Sequence, residues 1–87
     1  MYTLHFSRQA HKFRAKQPPT SRDRIRAALM ALARDPLANR HVKRVRETDM
    51  LLRLRVGDFR VVFSIEQEAL FILMISIGNR GDVYRRL

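Results

Sequence analysis

The sequence predicts an α+β domain: a strand, two helices, then a three-stranded antiparallel meander, with both helices packed on one sheet face. Three observations carry that prediction. Apolar residues recur with period two from Met50 to Ile65, the pattern of half-buried strands. Upstream, Ile25, Ala28, Leu29 and Leu32 stand at i, i+3, i+4 and i+7, one buried stripe of an α-helix. The chain has 87 residues, enough for one core and too few for two, so residues 1–87 are expected to form a single domain.

The elements follow in order. Tyr2, Leu4 and Phe6 alternate with Thr3 and His5, which suits a short first strand. Ser7 is a cap for a helix over residues 8–16, with Ala10, Phe13 and Ala15 turned inward. Pro18 and Pro19 end it, because proline disfavours helical geometry in the residue before it. Thr20 or Ser21 opens the second helix, and Asp23 suits the positive end of its dipole. Arg22, Arg26 and Arg34 lie off the apolar stripe and are expected in solvent, and Asp35-Pro36 stops the helix.

From residue 50 the period is two. Met50, Leu52, Leu54 and Val56 share one strand face, and Leu51, Arg53 and Arg55 share the other. Gly57-Asp58 is a turn signal. The next strand alternates Phe59, Val61, Phe63 and Ile65 with Arg60, Val62 and Ser64. After the polar turn Glu66-Gln67-Glu68, residues Ala69 to Ile77 are apolar on both faces, as in a central covered strand. Two helices cover one face of such a sheet. The covered face is expected to carry Leu52, Leu54, Val61 and Phe63, and the opposite face Arg53, Arg55 and Arg60.

The charge is strongly one-sided. Against 18 Lys+Arg stand 8 Asp+Glu, a formal net charge of +10, which points to a polyanion as partner, either nucleic acid or an acidic protein. The basic residues are threaded through periodic apolar ones, unlike a basic tail. With no cysteine, disulfides, thiolate metal sites and a Cys nucleophile are excluded. The opening MYTLHFSRQAHK lacks the apolar stretch of a signal peptide. The apolar run Ala69 to Ile75 is far short of the ~20 residues that span a bilayer. A cytoplasmic protein is expected.

Arginine presents five donors in a planar fork that matches phosphate oxygens and keeps its proton at any useful pH. Several guanidinium groups on one surface repel each other, and a bound polyanion relieves that repulsion. The alternative is a solvated sheet face whose long side chains snorkel into water. Arg80 and Tyr84, which follow the last strand, are able to fold back beside this face. His5, His11 and His41 lack metal-ligand spacing, the carboxylates are dispersed, and no phosphate-binding glycine loop or nucleophile triad occurs. No metal or other cofactor is expected. His41 joins the arginine face only if the 37–49 connection wraps across it.

The block Leu54-Arg55-Val56-Gly57-Asp58-Phe59-Arg60-Val61-Val62-Phe63, with Ile77-Gly78-Asn79-Arg80-Gly81-Asp82-Val83-Tyr84-Arg85, resembles the RelE/ParE toxin superfamily, more closely its RelE branch. The element order fits that fold over nearly the whole chain. The resemblance implies a toxin of a type II toxin–antitoxin system that enters the ribosomal A site and cuts mRNA there, without a metal. It implies that Arg60 stabilises charge on the scissile phosphate, that Arg80 lies near the leaving oxygen, and that Tyr84 stacks on or orients a nucleotide. Arg53 and Arg55 match strand positions where relatives carry Lys or Arg toward the phosphates. Lys43, Arg44 and Arg46 fall in a basic connection toward ribosomal RNA, with Asn79 also on the RNA-binding side. The implied partners are the ribosome, its mRNA and a cognate acidic antitoxin.

Many relatives carry His where Asn79 stands, and some use Glu or Lys as the base; no group of near-neutral pKa is evident on the predicted face. Arginine and tyrosine titrate above about 12 and near 10, far from neutrality. Negligible activity on free RNA is therefore expected, with the ribosome supplying geometry. Two alternatives have different sequence demands. A ParE-like toxin would inhibit DNA gyrase through protein contacts and needs no phosphate-reading set. A non-catalytic basic RNA-binding homologue needs the charge but no proton transfer.

Overall fold

A computed structural model describes residues 1–45 and 50–79 of the chain. In order, these form β1 (Thr3–Phe6), α1 (Arg8–Ala15), α2 (Pro19–Arg34), β2 (Val42–Arg44), β3 (Leu52–Val56), β4 (Phe59–Glu66) and β5 (Phe71–Asn79). The strands form one five-stranded sheet in the order β1-β5-β4-β3-β2. Neighbouring strands are antiparallel except β1 and β5, which run parallel. The α+β class and the helices on one sheet face are as the sequence predicts.

Ser7 caps α1: its side chain accepts a hydrogen bond from the Ala10 N–H at 3.1 Å. The start of α2 differs from expectation. Neither Thr20 nor Ser21 is the cap; Pro18 is, and Pro19 opens the helix. Proline's fixed φ suits the first helical position, where its missing N–H is no loss. Ala10, Ile25, Leu29 and Leu32 from the helices pack on Leu54, Val56, Val61, Phe63, Ile72, Met74 and Ile77 from the sheet. The half-buried Tyr2, Leu4, Phe6, Phe13 and Phe59 border that core. Ala15, expected to face inward, is exposed.

Three further corrections concern the sheet. The 37–49 connection contains a strand, β2, paired antiparallel with β3 through Val42↔Leu54, Lys43↔Arg53 and Arg44↔Leu52. Met50 stands outside β3 and is 81% exposed. Ala69 and Leu70 belong to the β4–β5 turn, with Leu70 at a φ of 55°.

Pairing of β4 with β5 passes from Val62↔Ser76 to Phe63↔Met74, so Ile75 is the extra residue of a β-bulge. Beside this bulge β1 gives way to α1, and side chains take over its pairing. The Ser7 hydroxyl donates to the Ile75 carbonyl at 2.6 Å. Gln9 donates from Nε2 to the Ile77 carbonyl at 2.7 Å and accepts from the Ile77 N–H at 2.8 Å. Helix α1 is thereby tied to the same strand that β1 pairs with. No helix among the described residues is long and apolar enough to cross a membrane.

Candidate functional site

Strand alternation puts Arg53 and Arg55 on the sheet face away from the helices, and register then aligns residues across strands. Arg55 lies opposite Arg60, which lies opposite Gly78. On the other side the Arg55 N–H donates to the His41 carbonyl at 3.1 Å, extending the β2–β3 ladder by one residue. One row therefore reads His41, Arg55, Arg60, Gly78. The neighbouring row reads Lys43, Arg53, Val62, Ser76. A groove of about 230 Å³ opens over these rows, lined by Arg40, His41, Lys43, Arg53, Arg55 and Arg60. It is smaller than the ~300–1,000 Å³ of a typical small-molecule site.

The groove is cationic: among the described residues its lining has five Arg or Lys and no carboxylate. Arg55 and Arg60 face each other directly across strands, an arrangement of like charges that costs stability. Arg60 is half-buried, and its Nη1 donates to the Gly57 carbonyl at 2.8 Å and the Phe59 carbonyl at 2.9 Å. Both N–H groups of Nη1 are thus committed to the hairpin, which fixes the guanidinium against the β3–β4 turn. That turn depends on Gly57, which has a φ of +59°, a conformation open to glycine at little cost. A Cβ at Gly57 would lie 2.5 Å from Nη2 of Arg24, so the end of that exposed side chain lies over the turn.

The predicted residues divide. Arg53, Arg55, Arg60 and Lys43 come together in the groove. Arg44 is opposite Leu52 and by alternation belongs to the other face, exposed at the sheet edge. Asn79 is opposite Phe59, also out of the arginine rows. Arg46, Arg80 and Tyr84 lie outside the described residues. Arg40 and His41 complete the lining. Sequence reading placed His41 here only conditionally and missed Arg40, because β2 is three residues long and too short to show a period. Among the described residues no group of three or more His, Cys, Asp or Glu is placed to hold a metal ion.

The fold that carries this face, a sheet backed by two helices, is shared with known proteins. The model of the ParE toxin family of type II toxin–antitoxin systems matches residues 4–84. The chain belongs to the RelE/ParE toxin superfamily. Toxin RelG of Mycobacterium tuberculosis is 31% identical over 90 residues, covering 98% of each chain. Among solved structures, the toxin–antitoxin complex RelBE2 from M. tuberculosis matches with a TM-score of 0.77 and 26% identity, over 91% of this chain and 98% of that one. The archaeal RelE–RelB complex from Pyrococcus horikoshii matches with a TM-score of 0.78 and 24% identity, over 93% and 97%. The isolated Escherichia coli RelE toxin gives 0.77 and 22%, over 99% and 94%. The last two are likenesses of fold. The protein thus has the RelE-like fold of type II toxins.

Proposed function

We propose that the protein is a ribosome-dependent endoribonuclease of a type II toxin–antitoxin system, acting on mRNA in the A site. The observation that carries this reading is the convergence of Arg53, Arg55, Arg60 and Lys43 in one groove. In metal-independent cleavage the 2′ oxygen attacks the adjacent phosphorus and the P–O5′ bond breaks. Charge then builds on a dianionic phosphorane. With Nη1 of Arg60 held by the turn, Nε and Nη2 are the nitrogens offered to a phosphate, pre-oriented donors of the kind that stabilise such charge. Arg53 and Arg55 add donors from the next strand. Arg80, Tyr84 and Arg46 keep the roles the family resemblance implies, and Arg44 and Asn79 are assigned to the ribosomal RNA side.

In this reading residues 1–87 act as a single toxin domain in a prokaryotic cytoplasm. Its partners are the ribosome, mRNA and a cognate antitoxin, as the RelE–RelB complexes among its structural neighbours suggest. An acidic antitoxin segment laid over the groove would neutralise it.

The test is a cell-free translation reaction with one defined mRNA, the 5′ ends being mapped by primer extension. Wild type is expected to cut at codon spacing only when ribosomes are present. Arg60→Ala is expected to cut 10²–10³-fold more slowly, the usual effect of losing one such donor. Intact mRNA with wild-type protein refutes the reading. The match to the ParE family model favours gyrase inhibition as the second reading, and Arg60→Ala would then leave inhibition of supercoiling intact.

A further inference from the structure

We infer that His41 is the general base of this site, taking the proton from the 2′ hydroxyl as the 2′ oxygen attacks phosphorus. The inference rests on the reading of the groove as an RNA-cleaving site and supplies the proton acceptor that the arginines lack. Among the described residues, the others lining the groove are Arg40, Lys43, Arg53, Arg55 and Arg60. Arginine keeps its proton at any useful pH. Lysine serves as a base where burial strips its charge, and Lys43 is exposed. Histidine is the residue type that exchanges a proton between pH 5 and 8.

The backbone holds His41 in place on both sides. Its N–H donates to Oδ1 of Asn39 at 2.9 Å, and its carbonyl accepts from the Arg55 N–H at 3.1 Å. These bonds set the His41 backbone beside that of Arg55, one strand spacing away, and two spacings, roughly 10 Å, from that of Arg60, while its side chain lines the groove with theirs. The inference requires that a phosphodiester held by Arg60 and Arg55 lie with its 2′ hydroxyl toward that edge of the groove. The other described histidines are elsewhere: His5 is on β1 at the opposite sheet edge against Phe71, and His11 is on α1.

The step balances with the groups named. The O2′–P bond forms, the P–O5′ bond breaks, and the 2′ proton passes to the neutral imidazole. The leaving 5′ oxygen takes a proton from water, and His41 returns its proton to solvent after product leaves. Among the described residues, the charged groups lining the groove with His41 are Arg40 from the preceding loop, Lys43 from β2, Arg53 and Arg55 from β3, and Arg60 from β4. A change of rate with pH that the His41 variants lose reports the histidine. The active form is unprotonated, hence the rate rises with pH.

The test is single-turnover cleavage of ribosome-bound mRNA from pH 5.5 to 8.5 by wild type, His41→Gln, His41→Ala and Arg60→Ala, with melting curves and ribosome co-sedimentation in parallel. His41→Gln is expected to fold and bind ribosomes as wild type does, to cut 10²–10⁴-fold more slowly, and to lose the rise with pH. Added imidazole is expected to restore part of the rate to His41→Ala. If His41→Gln cuts within threefold of wild type, or keeps the rise with pH, the inference is overturned while the enzyme reading stands. If wild-type protein leaves mRNA intact, both fail together.

Discussion

Removing the Gln9 side chain tests how the end of β5 is held. Its amide makes two hydrogen bonds to the backbone of Ile77, at 2.7 and 2.8 Å, and Ile77 is fully buried. Gln9→Ala would leave one N–H and one carbonyl there without partners. A buried backbone group stripped of its partner costs about 1–3 kcal/mol, so two cost about 2–6 before relaxation. Entry of water into the vacated space lowers this, and about 3 kcal/mol is expected. For a domain of this size each kcal/mol moves the melting midpoint by about 4–8 °C, giving a fall of roughly 12–24 °C. Guanidinium denaturation should show a lower midpoint at unchanged slope. Hydrogen exchange should show the Ile77 amide opening faster than its neighbours in β4. Gln9→Glu keeps an acceptor for the Ile77 N–H but sets a carboxylate against the Ile77 carbonyl, and is expected to be no better than alanine. A loss below 1 kcal/mol for Gln9→Ala would refute the view that this amide substitutes for a missing strand.

Other expectations are simpler. Gly57→Ala should lower stability by about 1–2 kcal/mol for the left-handed backbone; adding Arg24→Ala should leave that loss unchanged in a double-mutant cycle of denaturation midpoints, because the exposed Arg24 tip swings away from the new Cβ. Arg55→Ser should stabilise the fold by up to about 1 kcal/mol at low salt by removing the like-charge pair with Arg60. In binding titrations across salt, the same variant should flatten the dependence on single-stranded RNA by about 0.7 log units per log salt. Phe63→Ala, at a fully buried core position, should cost about 3–5 kcal/mol by chemical denaturation.

The parts of the fold legible in the sequence are those with a long enough period. Residues 52–65 alternate cleanly, so the two strands, their turn and the face shared by Arg53, Arg55 and Arg60 follow from pattern alone. Ile25, Leu29 and Leu32 likewise mark the buried side of α2. What was not legible has physical causes. β2 shows only one inward residue, Val42, too few for any alternation to register. The run Phe71 to Ile77 is apolar on both faces except at Ser76, which hides a bulge that shifts register by one residue. Gln9 reads as a helix-surface residue in one dimension, and its pairing with Ile77, 68 residues away, follows only from the parallel crossover of β1 onto β5. Arg40 and His41 reach the groove just ahead of β2, so without that strand Arg40 was missed and His41 was placed only conditionally.

The two faces of the sheet answer to different demands, and this makes the site separable from the fold. Leu54, Val61 and Phe63 face the helices, while Arg53, Arg55 and Arg60 alternate with them on the same two strands. The strands thus hold the cations at fixed spacing without help from a second layer. Their mutual repulsion is set against hydrophobic burial on the other side, where each large side chain contributes about 1.5–3 kcal/mol. Arg60 is the exception that couples the two, since its guanidinium braces the β3–β4 turn as well as lining the groove. Arg60→Lys should therefore separate its roles: it keeps the charge but loses the fork that grips both the Gly57 and Phe59 carbonyls and leaves further donors free. If charge alone mattered, the lysine variant would cut mRNA at the wild-type rate. The geometry demands instead that it fall close to Arg60→Ala in cleavage while losing less affinity for ribosomes.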